Sequence, residues 1–210
     1  LLTLNNLNTK GMVLEKTDFD INQIIRSTAA SFEGTCHSKN IAIELILTGE
    51  TLFVNADMGK IQQVLYNLLD NAIKFSHHNS VIKIETSEKG NKIFVSVKDS
   101  GIGISKEEQD RLFQSYSQVD ASITRRFGGT GLGLAISNGY INLMGGQINV
   151  ESTYQVGSTF TVILEQKIID DKPLEQDYSQ NTNDPNATSI SNMKLYGVPV
   201  VISINRFPSD

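Results

Sequence analysis

Residues 58–75, MGKIQQVLYNLLDNAIKF, constrain this chain more than any other segment. At about 100° per residue, Ile61, Leu65, Leu68 and Ala72 share one side of a helix, and Asn67, Asn71 and Lys74 share an arc of about 60° on the other. The apolar side requires a sheet to cover it. The polar side carries two carboxamides and a cation on one line. A carboxamide oxygen suits Mg²⁺, whose octahedron water and phosphate complete, and a lysine one turn on suits phosphate charge. A solvated face of an amphipathic helix would look the same, so the pattern leaves both readings open.

The rest of the chain supplies the sheet. Residues 41–47, 52–54, 81–86, 92–98, 146–152 and 157–164 read as strands, with a hairpin turn at Glu88-Lys89-Gly90-Asn91. Residues 1–14 read as the end of a helix. A second helix is capped by Asp18 or Asp20 and runs to about Lys39, with Ile21, Ile24, Ile25, Thr28 and Phe32 inward. Residues 105–113 form a short helix with a Ser105/Glu108 capping box, and residues 132–144 a buried one. Helices on one face of a mixed, largely antiparallel sheet make an α+β two-layer sandwich.

Two glycine loops flank these elements. Asp99-Ser100-Gly101-Ile102-Gly103-Ile104 follows a strand, so Asp99 can accept a hydrogen bond from an amino group while the glycines admit a ligand close to the backbone. An ordinary strand-to-helix turn is the other reading of this loop. Gly128-Gly129-Thr130-Gly131-Leu132-Gly133-Leu134 opens a helix whose free N–H groups and dipole favour phosphate, and Arg125 and Arg126 precede it. The spacing Gly129, Gly131, Gly133 after a polar loop is not the Gly-x-Gly-x-x-Gly that follows a strand in dinucleotide-binding folds. A phosphate loop ending in Gly-Lys-Ser/Thr is also absent.

Composition sets outer limits. Across 210 residues, 39% are hydrophobic and 20% charged, an ordinary balance for a globular domain, and the net charge of −5 argues against nucleic acid as a partner. No apolar run nears the ~20 residues that span a bilayer. A single cysteine, Cys36, excludes an internal disulfide and reads as a small buried apolar residue in a reducing compartment. The start at Leu1-Leu2, without a signal-peptide pattern, fits a fragment or processed chain.

Taken in order, QVLYNLLDNAIKFS, DSGIGIS, RLFQSYSQVD and FGGTGLGLAIS resemble the N, G1, F and G2 boxes of the histidine-kinase branch of the ATPase superfamily shared with gyrase, the heat-shock chaperone and the mismatch-repair ATPases. The resemblance covers about residues 1–167, and the F and G2 boxes look most like those of hybrid kinases. It implies the Bergerat fold and the cofactors ATP and Mg²⁺. Asn71 would ligate Mg²⁺ with Asn67 beside it, and Lys74 would contact phosphate. Asp99 would accept the adenine amino group, with Gly101 and Gly103 letting the base lie against the backbone. Phe75 would pack near the base, although the family often has tyrosine there. Residues 114–128 would form a lid anchored by Phe113. Gly129, Thr130, Gly131, Leu132 and Gly133 would wrap the phosphates, and Arg126 would reach the terminal one.

The resemblance also orders the chain. Residues 1–16 would be the end of a dimerisation helix and its junction, and 17–167 the ATP-binding catalytic domain. Residues 168–192, rich in Asp, Asn, Ser, Gln and Thr, read as a disordered linker, and 193–210 as an unassigned stub. That stub, KLYGVPVVISINRFPSD, is similar to a short segment of formate–tetrahydrofolate ligase but is too short to fold as a domain. Only His37, His77 and His78 are present, and none stands in the family's phosphoacceptor box. The implied activity is therefore phosphotransfer from Mg-ATP to a histidine outside this chain, which alone would be inactive as a kinase. The implied partners are a dimerisation and phosphoacceptor domain and a receiver domain, within a homodimeric parent. Its location is cytoplasmic, on a parent that is soluble or membrane-bound. A purely regulatory ATP-binding module and a hydrolytic ATPase are the alternatives. Asn67 speaks against the second, because an amide is no general base at neutral pH.

Overall fold

The computed structural model describes residues 13–109, 112–113 and 132–165. Its elements are β1 (Lys16–Asp20), α1 (Ile21–Ser31), α2 (Glu33–Lys39), β2 (Ala42–Ile46), β3 (Phe53–Asp57) and α3 (Met58–Phe75). Then come β4 (Val81–Lys89), β5 (Lys92–Lys98), α4 (Lys106–Gln109), α5 (Gly133–Leu143), β6 (Gln147–Thr153) and β7 (Gly157–Glu165).

The main sheet has the order β2-β4-β5-β7-β6. Only β2 and β4 run parallel, and the chain between them passes through β3 and α3, as a parallel pair requires a crossover. The register aligns Ile84 with Val97, Val95 with Val162 and Ile93 with Leu164, so one face is apolar. The other carries Lys83, Glu85, Ser96 and Thr161, with Lys83 paired to Glu44 at 2.9 Å. The apolar face meets α3, whose Ile61, Leu65, Leu68 and Ala72 are all buried. Each of the buried leucine and isoleucine side chains contributes about 1.5–3 kcal/mol, and the alanine methyl about 0.8 kcal/mol. α1 and α5 pack beside α3. This is the α+β two-layer sandwich expected.

Local signals explain several boundaries. Asp20 caps α1 through Asn22 N–H, and Asp57 caps α3 through Lys60 N–H. The Ser105/Glu108 box forms reciprocally, at 2.9 and 3.4 Å. Gly90 takes φ +62° in the β4–β5 turn. Cys36 is buried and unpaired.

Two expectations are corrected. The helix expected to continue to Lys39 breaks at Phe32, whose backbone (φ −101°, ψ 1°) ends α1 and starts α2. Phe32 is buried and its ring packs at a tilt of 37° against Tyr66 of α3, centroids 4.7 Å apart, so tertiary packing places the break. Residues 16–20, where no strand was expected, are a strand antiparallel to β3. Residues 1–12 and 166–210, with the helix end, linker and stub expected there, lie outside the described residues.

Candidate functional site

The site is built along α3, between Asn67 and Phe75, about 12 Å apart along the axis. Its C-terminal end is held from outside the helix. Lys39 Nζ donates to the carbonyls of Ile73 and Lys74 at 2.8 and 2.9 Å, satisfying acceptors that the last turn leaves free. These partners lie 34 and 35 residues away in sequence, and no spacing rule announces them.

The first glycine loop docks on this end. Ile102 N–H donates to Phe75 O at 3.2 Å. A Cβ at Gly101 would lie 2.2 Å from Phe75 O, and one at Gly103, where φ is +62°, would lie 2.0 Å from Thr153 O. The two glycines therefore have a reason in the protein's own backbone, besides the ligand approach expected of them. The loop is also tied to the β6–β7 hairpin. Gln155 N–H donates to Ile102 O, Ile104 N–H to Ser152 Oγ, and Gln109 Nε2 to the carbonyls of Ile104 and Ser152. Ser152, Ser158 and Gln109 were not among the expected site residues. The Ser152 side chain meets Ile104 N–H across 48 residues and the Gln109 side chain meets Ser152 O across 43, while Ser158 reaches Asp99 through its backbone N–H across 59 and Ser152 through its Oγ within a hairpin whose pairing only the sheet reveals.

Asp99 directly follows β5 inside this frame, 6% exposed. Its Oδ1 accepts from Gly101 N–H at 2.9 Å and Ser158 N–H at 3.3 Å. Among the described residues both bonds fall on Oδ1, which leaves Oδ2 to a further donor. Burial raises its carboxyl above the ordinary 3.8, while the two N–H groups and the nearby His77 pull it down. Ser76 Oγ, also buried, has no partner among the described residues, and Ser76 bridges to Gly101. His77 and His78 lie exposed in the loop after α3, and His37 lies exposed on α2.

The middle of α3 meets the start of α5. Asn67 Nδ2 donates to Gly133 O at 3.2 Å and to Ser137 Oγ at 3.1 Å, and its Oδ1 accepts from Gln63 at 3.2 Å. The half-buried carboxamide of Asn71 has no hydrogen bond to a described residue. Lys74 Nζ pairs with Asp70 at 3.3 Å. Phe113 is half-buried against the core, and Leu132 directly precedes α5. Arg126, Gly129, Thr130 and Gly131, and the lid expected at 114–128, lie outside the described residues.

The arrangement has a polarity. A buried carboxylate stands at the C-terminal end of α3, suited to a base with an amino group. Carboxamides and the N-terminus of an 11-residue helix stand at its middle, suited to phosphate. Among the described residues no group of three or more His, Cys, Asp or Glu could hold a metal. The donors present fit a hard cation that shares its shell with phosphate and water, as Mg²⁺ does. Among the same residues no helix is long and apolar enough to cross a membrane.

Fold and site together define an ATP-binding domain of the Bergerat type. The chain belongs to the histidine kinase-, DNA gyrase B-, and HSP90-like ATPase family, whose model matches residues 56–168, more than half of it. It is 35% identical over 173 residues to the circadian input-output histidine kinase CikA of Synechococcus elongatus, covering 81% of this chain and 23% of that protein. The chain spans less than a quarter of the length of the curated relatives CikA, the Candida albicans histidine protein kinase 1 and the Pseudomonas syringae sensor protein GacS. Full-length ShkA in complex with AMPPNP superposes with a TM-score of 0.71 at 27% identity, covering 80% of this chain and 34% of that one. The catalytic domain of histidine kinase ThkA superposes at 0.65 with 33% identity, covering 72% of this chain and 96% of that one. ThkA in complex with the response regulator protein TrrA also matches, at 0.64 with 31% identity, covering 79% and 47%.

Proposed function

We propose that this chain is the catalytic domain of a two-component sensor histidine kinase, of the hybrid kind that feeds a phosphorelay, and that it passes the γ-phosphate of ATP to a histidine on another domain. The observation that carries this is the chemistry beside the phosphate end. Asn67 and Asn71 face it, and Asn67 is a carboxamide held by Gly133 and Ser137. An amide cannot take a proton from water at neutral pH. The site therefore holds the triphosphate and leaves attack to a nucleophile from outside.

The residue roles are those the family resemblance implies. Asp99 accepts the adenine amino group through Oδ2, and Gly101, Gly103 and Phe75 border the base. Asn71, with Asn67, holds Mg²⁺, which would offset charge on the phosphate oxygens. Lys74 exchanges its half-exposed Asp70 partner for phosphate. Gly129, Thr130, Gly131, Leu132 and Gly133 supply backbone N–H groups, Arg126 reaches the terminal phosphate, and Phe113 anchors the lid. A phosphoacceptor domain and a receiver domain are the partners, the parent is a homodimer, and the reaction takes place in the cytoplasm.

The test mixes the full chain with a separately made dimerisation domain of a related kinase and γ-labelled ATP. The expected product is acid-labile, base-stable label on that domain's histidine, with little phosphate release by the chain alone. Rapid hydrolysis by the chain alone would overturn the phosphotransfer reading in favour of an ATPase. A chain that binds ATP but labels no histidine would overturn it in favour of a regulatory module.

A further inference from the structure

Asn67 is held by the last residue of the FGGTGLGLAIS box, Ser137, to which the resemblance assigns no role. Ser137 lies on α5 and is fully buried, 0% exposed. Its Oγ accepts one hydrogen of the Asn67 carboxamide at 3.1 Å, and Gly133 O accepts the other at 3.2 Å. A carbonyl oxygen can only accept, so the nitrogen end of the amide must face α5. That leaves Oδ1 as the one carboxamide atom with a lone pair for a cation. Its present partner is the exposed Gln63, a contact that water or a metal can replace. Turned over, the amide would set its oxygen against Gly133 O and offer a cation only N–H groups. An ideal Cβ on Gly133 would sit 3.6 Å from Asn67 Cγ, so the carboxamide is also packed against the start of α5.

We propose that Ser137 is a positioning residue: with Gly133 O it locks the Asn67 carboxamide so that Oδ1, not Nδ2, is available to the metal of a bound nucleotide. The same clamp ties α3 to the start of α5. This inference rests on the ATP-binding reading above.

The experiment uses the full, isotope-labelled chain as wild type, Ser137→Ala and Ser137→Thr. The nucleotide-free readout is solvent exchange of the Asn67 side-chain amide protons. In the wild type they should exchange more slowly than those of Asn71, at least about threefold faster in Ser137→Ala, and slowly again where threonine restores the hydroxyl. The second readout is calorimetric titration with ATP, with Mg²⁺ and with chelator. Ser137→Ala should weaken Mg-ATP binding about three- to tenfold and change metal-free ATP binding less than about twofold. Unchanged Asn67 exchange in Ser137→Ala would overturn the clamp. Equal weakening with and without metal would overturn the metal-presenting role and leave a packing effect. A wild type that binds no nucleotide would overturn the ATP reading and this role together, while amide exchange would still show whether the clamp exists.

Discussion

Asp99→Asn separates binding from folding. Asparagine can keep its oxygen on the Gly101 and Ser158 N–H groups, now at 2.9 and 3.3 Å, so the loop need not move. The change falls at Oδ2, where an NH₂ group replaces a carboxylate oxygen. Adenine presents a donor there and guanine an acceptor. The lost charged hydrogen bond is worth about 1.5–3 kcal/mol, or about ten- to a hundredfold in ATP affinity. GTP should bind better than it does to the wild type, because an amide can donate where the carboxylate repels. Stability should move the other way. Burial raises the Asp99 carboxyl, so the native state holds its proton more tightly than the unfolded chain does. Wild-type stability therefore falls as pH rises from about the ordinary 3.8 through the raised value, and the cost persists at neutral pH. Asp99→Asn should be at least as stable as wild type at pH 7, with its advantage fading in acid. Calorimetric titration with ATP and GTP, beside urea denaturation at two pH values, reads both effects. ATP affinity within about twofold of wild type would refute the base-acceptor role. A less stable variant at neutral pH would refute the desolvation argument.

Gly101→Ala should cost about 1–3 kcal/mol in urea denaturation and abolish ATP binding, because the new methyl would meet Phe75 O at 2.2 Å; a neutral outcome would show that the loop can move off α3. Asp57→Ala should cost about 0.5–2 kcal/mol at neutral pH through loss of the α3 cap. Burial pushes the Asp57 carboxyl up, but hydrogen bonds from the Lys60 side chain and backbone and from Glu15 N–H outweigh it and set it below 3.8. Its stabilisation is thus complete above the unfolded value and lost as pH falls through the lowered one, so the variant's deficit should shrink in acid; an equal deficit at all pH values would refute this. Lys39→Met should lower stability by about 1 kcal/mol by freeing the Ile73 and Lys74 carbonyls; an unchanged urea midpoint would mean water caps them as well.

Much of the fold was legible because its determinants are local. The bounds of α3 follow from 3.6-residue periodicity and an aspartate cap, the β4–β5 hairpin from alternation around Gly90, and the Ser105/Glu108 box from a three-residue spacing. The positions of Asn67, Asn71, Lys74 and Asp99 were legible for the same reason: each sits on, or directly after, an element whose phase the sequence states. β1 was not. KTDFD does not alternate, only Phe19 is buried, and its partner strand begins 33 residues after it ends.

What the sequence determined alone was therefore which side chains lie on which face of which element. Tertiary structure decided what those faces meet. It broke the second helix at Phe32 by packing that ring against Tyr66, and turned Lys39 into the cap of a helix 34 residues on. It gave Gly101 and Gly103 neighbours in the protein's own backbone, and set Ser137 against Asn67 across 70 residues. The physical reason is range. Periodicity and capping are satisfied within a turn or two, whereas a buried polar group can choose its partner only after the chain has closed and water has left.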